Sequence, residues 1–159
     1  MTPPIFFAVI VGIPLVISIV LRVKPLFLFV AIVTGYFWVQ FLGSTAVLIV
    51  ESVIHVSKPE VVTNIGLLLI PVILTFIVMK KTITASSLPF QFVLLLGNSL
   101  LLATFLVPLL SPGVIGAIYS TIYGNIFRQS HDVLVAAVAG LQLLVMFLTQ
   151  PKKHITKHK

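Results

Sequence analysis

The chain is expected to fold as an all-α membrane bundle, with five transmembrane helices and one amphipathic helix, interfacial or re-entrant, on the outer side. Three observations predict this. Of 159 residues, 59% are hydrophobic and 8% charged, against the roughly 25% charged residues of an average soluble domain. Several apolar runs reach the roughly 20 residues needed to cross a hydrocarbon core about 30 Å thick. Basic residues recur behind every second run.

The first run, 4–21, has no basic residue ahead of it and Arg22 behind it, so it reads as a retained span and not as a cleavable signal sequence. The second, 26–50, is longer than a bilayer requires; it is expected to tilt or project outward, lifting Glu51 and His55 above the surface. Runs 61–79, 88–110 and 133–149 supply the remaining spans. Pro14 and Pro71 lie near the middle of their runs and Pro108 near the end of its own, where each removes a backbone donor and tends to kink a helix. Residues 1–150 thus form one helical domain, followed by a basic tail over 151–159. In that tail Lys152, Lys153, Lys157 and Lys159 are expected to lie along anionic headgroups, at roughly 1 kcal/mol per lysine.

Charge orients the spans. Arg22 and Lys24 follow the first run, Lys80 and Lys81 the third, and the four tail lysines the fifth, so that eight of the ten basic residues share one side. Lys58 and Arg128 take the other. By the positive-inside tendency the rich side is cytoplasmic, with the N-terminus outside and the C-terminus inside. Compactness and the lack of targeting segments suggest a bacterial cytoplasmic membrane. The formal charge of +7 is spread as single residues and pairs beside apolar runs, which argues for topology signals and against nucleic acid as a partner. The absence of cysteine excludes disulfides, thiolate catalysis and Cys-ligated metal. No cofactor is expected.

Residues 113–128 are too short to cross, and a crossing there would reduce the charge bias from eight against two to roughly even. At 100° per residue Gly113, Gly116, Ala117, Ser120, Gly124 and Arg128 share one face, while Val114, Ile115, Ile118, Ile122 and Ile126 share the other. The spacing predicts one helix on the outer surface, anchored by Tyr119 and Tyr123 at headgroup level and packed on the bundle through Gly116, Ser120 and Gly124. An irregular glycine-rich connection is the plainer alternative.

The spans hold no Asp, Glu, Lys, Arg or His, which lowers proton relays and ion-coupled transport. They do hold amides. Gln40, Asn98 and Gln142 fall near the centres of the second, fourth and fifth spans, and all three are expected to point into the bundle. They act there as interhelical glue or, alternatively, line a path for a small solute. Small residues at Ala31, Gly35 and Gly43, and at Ala136 and Gly140, favour close packing of the same spans. Glu51, His55, His131 and Asp132 are weak candidates for a metal site, since no ligand-spacing motif is present.

The expected function is a non-enzymatic scaffold or accessory subunit that binds lipids, other membrane proteins or copies of itself. The alternative is a channel or permease lined by the three amides. A weaker one is an outer-surface enzyme built on Ser130, His131 and Asp132, and short loops leave little room for its substrate site.

Overall fold

A computed structural model describes residues 3–53, 58–79 and 88–148. Among these every regular element is helical: α1 (Pro3–Leu21), α2 (Pro25–Val53), α3 (Pro59–Val78), α4 (Leu88–Leu106) closed by a 3₁₀ turn (Val107–Leu109), α5 (Pro112–Tyr119), α6 (Ile122–Gln129) and α7 (His131–Leu148). Three stretches are long and apolar enough to cross a membrane: α2, α3, and Gln91–Leu109 of α4 with its 3₁₀ turn. The apolar stretches of the other two expected spans, Ala8–Leu21 and His131–Val145, are shorter.

Helix α4 is the axis of the bundle. Half of its apolar window is buried, against 28% for α2 and 17% for α3, because α1, α2 and α7 all pack on it. The core joins Leu28 and Ile32 of α2, Leu68 and Val72 of α3, and Leu95, Leu101 and Leu102 of α4. Tyr36 and Phe105 stack at 4.2 Å between ring centroids, extending the α2–α4 seam. The buried residues that form this core are all apolar.

The α1–α2 corner is tight. Arg22 adopts φ 52°, the left-handed region. The Val23 N–H donates to the Ser18 carbonyl and the Arg22 N–H to the Ile19 carbonyl, both at 3.2 Å, which is the double bond pattern of a Schellman C-cap. Val23 is then fully buried, and Pro25, with φ already suited to a first helical position, starts α2 at once.

Helices α2 and α3 form an antiparallel hairpin. Gly35 meets the backbone of Leu68 so closely that a Cβ there would overlap the Leu68 carbonyl oxygen, and Gly43 faces the side chain of Asn64. Both of these glycine contacts of α2 are with α3. At 29 residues, about 43 Å at 1.5 Å per residue, α2 is the longest element, and Glu51 at its far end is exposed.

The single amphipathic helix expected over 113–128 is instead two short helices. Thr121 has extended backbone, φ −84° and ψ 153°, and its Oγ1 accepts the Gly124 N–H at 3.0 Å while donating to the Ile118 carbonyl at 2.7 Å. That is an N-cap, and it ends α5 as it begins α6. The stripe of Gly116, Ser120 and Gly124 therefore does not exist as one face. A Cβ added at Gly116 would meet nothing within 4 Å, Ser120 is exposed and turns its hydroxyl to the Ala117 carbonyl, and Gly124 is pressed against the Ile118 carbonyl inside the corner itself.

Candidate functional site

Two groups of polar side chains stand out within the apolar bundle. The first is a junction of amides. Asn98 on α4 and Gln142 on α7 are 0% and 1% exposed, and Gln142 Nε2 donates to Asn98 Oδ1 at 3.0 Å. Asn98 Nδ2 in turn donates to the Pro25 carbonyl at 2.6 Å. One side chain thereby ties three elements: α7, α4 and the first residue of α2. Beside it Gly97 admits Val138, whose Cγ2 would stand 3.3 Å from a Cβ at that position, so α4 and α7 can close to hydrogen-bonding distance.

Gln40 takes no part in this junction. It stands fifteen residues beyond Pro25 on α2, about 22 Å along the axis, and its side chain is exposed. Of the three midplane amides, the structure thus brings Asn98 and Gln142 together and leaves Gln40 apart from them. Sequence position within each run placed them together, but the α1–α2 corner docks against the middle of α4 and shifts α2 along it.

The second feature is a cleft of about 140 Å³ at the other end of the α2–α4 seam. Gln40, Tyr36, Thr104 and His131 supply its polar groups, and Pro108 and Leu109 of the 3₁₀ turn close one wall. The Thr104 hydroxyl donates to the Leu100 carbonyl at 2.8 Å. His131 Nδ1 lies 3.0 Å from Asp132 Oδ1, an exposed pair of sequence neighbours. At this volume the cleft suits a few waters or one very small solute, well below the roughly 300 Å³ at which ordinary ligand pockets begin.

No protein-family model matches the chain, and neither a curated protein nor a solved structure is similar to it.

The remaining candidates are dispersed. Among the described residues no three His, Cys, Asp or Glu side chains gather into a metal-binding group; His55 lies outside the described residues, as do Lys152, Lys153, Lys157 and Lys159 and the side chain of Tyr123. Tyr119 carries the Arg128 guanidinium 5.8 Å above its ring centroid, a contact joining α5 to α6. Ala136 and Gly140 face outward on α7, and nothing lies within 4 Å of a Cβ at Gly140. The sequence reading missed Gly97, whose place beside Asn98 was its only signal. It also missed Asn64 and Thr63, polar residues in the first turns of α3 whose buried Oδ1 and Oγ1 find no hydrogen-bond partner among the described residues.

Proposed function

We propose that the chain is a non-enzymatic scaffold or accessory subunit of a bacterial cytoplasmic membrane, crossing it five times with its N-terminus outside and its C-terminus inside. The observation that carries this reading is the amide junction: the most deeply buried amide side chains, Asn98 and Gln142, bond to each other and to Pro25, so they serve cohesion and are not offered to a substrate.

The docking face is the outward side of α7. Val133, Leu144 and Phe147 are exposed there around Ala136 and the open surface at Gly140, a pattern of small residues flanked by large ones that lets a second transmembrane helix approach closely. Because the chain has no cysteine, Gly140→Cys and Ala136→Cys introduce unique thiols. In native membranes these positions should give discrete cross-linked products, with a second copy or another membrane protein, while Val62→Cys on the exposed face of α3 should not. Equal yields at all three positions would rule out α7 as a docking face.

A second reading is favoured by the small cleft at Gln40. A channel or permease would use Tyr36, Gln40, Thr104 and His131 as a vestibule, with the Asn98–Gln142 bond closing its path.

A further inference from the structure

At the Lys24 end of the hairpin, α2 and α3 leave between them an open apolar cleft of about 510 Å³. Its origin lies in two neighbouring features. Gly35 draws the helices together at Leu68, and three residues further along α3 Pro71 interrupts the ladder of backbone donors. Beyond that point Phe27 and Val30 of α2 and Leu74 and Met79 of α3 line an unfilled gap, and Trp38 lines its inner end. The Thr75 hydroxyl on its wall already donates to the Pro71 carbonyl at 2.9 Å, so the cleft offers an occupant little but hydrocarbon. From Leu26 to Trp38 it runs about 18 Å at 1.5 Å per residue, close to the depth of one leaflet, about 15 Å.

Two cations precede this end of the cleft in the chain. Leu26 and Phe27 are the first cleft residues of α2, and directly ahead of them the α1–α2 corner exposes Arg22 and Lys24. No acidic residue precedes Glu51, which sits at the opposite end of α2. A ligand that matches both features has an extended apolar chain and a negative charge at one end.

We infer that the α2–α3 cleft is a binding site for an anionic phospholipid, with an acyl chain along Phe27, Val30 and Leu74 and the phosphate held by Arg22 and Lys24. The inference rests on α2 and α3 lying in a membrane and is independent of the scaffold reading, which rests on the amide junction and the α7 face.

Trp38 is the only tryptophan in the chain and lines the cleft, so its fluorescence reports the occupant. The full chain is reconstituted in phosphatidylcholine vesicles containing a small fraction of phosphatidylglycerol brominated on its acyl chains, and compared with the same fraction of brominated phosphatidylcholine. The brominated anionic lipid should quench Trp38 preferentially, with an apparent preference of about fivefold for each cation engaged. The pair Arg22→Gly with Lys24→Gln should abolish the preference. Glycine suits the positive φ at position 22, so helix content by circular dichroism should hold. Lys58→Gln, at the other end of α3, should leave the preference intact. Equal quenching by the two lipids, or a preference that survives the double change, would overturn the site; neither result bears on cross-linking through α7.

Discussion

Gln142 Nε2 reaches Asn98 Oδ1 at 3.0 Å between α7 and α4, and Asn98 Nδ2 carries the link to the Pro25 carbonyl at 2.6 Å. Both side chains are buried, so loss of Gln142 leaves Asn98 Oδ1 without its donor, and loss of Asn98 leaves Gln142 Nε2 without its acceptor. Gln142→Leu should therefore cost roughly 1–3 kcal/mol, and Asn98→Leu about the same, through the orphaned amide each leaves behind. Combining them should cost less than the sum, by about 1 kcal/mol. Thermal melts followed by circular dichroism in detergent measure this cycle. Strict additivity would mean that the bond contributes nothing.

The two hairpin glycines of α2 should respond differently to the same change. At Gly35 an added methyl meets the Leu68 backbone, which cannot move without the whole of α3, so Gly35→Ala should destabilise by about 1–3 kcal/mol. At Gly43 the obstacle is the Asn64 side chain, whose Oδ1 would stand 2.8 Å from an added Cβ, and a side chain can turn aside. Gly43→Ala should then cost less than about 1 kcal/mol, partly offset by the better helix propensity of alanine. Equal melting temperatures for the two variants would contradict this account of the hairpin.

Arg22 holds the C′ position of a Schellman cap at φ 52°, a conformation in which a side chain is strained and glycine is not. Arg22→Gly should raise the melting temperature, by a stabilisation of up to about 1 kcal/mol after the greater flexibility of unfolded glycine is deducted. A fall in melting temperature would show that the guanidinium holds the corner more strongly than the backbone resists it.

Much of this arrangement can be read from residue order, and the remainder has physical reasons for being hidden. The apolar runs that become α2, α3 and α4 are visible because hydrophobic length is a local property. Depth is not local. Gln40 sits mid-run in the sequence, but the docking of Pro25 on Asn98 moves it to an exposed position near the 3₁₀ turn. The α5–α6 break was legible in principle, since Thr121 stands three residues ahead of Gly124 as an N-cap would, yet the regular alternation of glycine and isoleucine suggested one continuous helix. Gly97 could not be singled out, because its significance comes only from Val138, which lies on another helix far along the chain.

The α5–α6 corner should be sensitive at Thr121 and Gly124. Thr121→Ala removes both the acceptor for the Gly124 N–H and the donor to the Ile118 carbonyl, at a cost of about 1 kcal/mol. Gly124→Ala drives a methyl into that same carbonyl and should open the corner further. Hydrogen exchange reports both, with faster exchange over 122–129 and unchanged protection in α4. Unchanged exchange in α6 would mean that packing against α7, and not the cap, sets its start.

The buried junction and the small cleft give the sharpest contrast for thiol chemistry in this cysteine-free chain. Gln40→Cys should react with a small water-soluble reagent in intact membranes, because its side chain is exposed at the mouth of a cleft that it shares with Thr104 and His131. Gln142→Cys should stay silent, since position 142 is enclosed between α4 and α7. That pattern describes a bundle whose polar interior is sealed, as a scaffold requires. Reaction at both positions would instead mean that water passes the Asn98–Gln142 bond, and the conduit reading would then replace the scaffold.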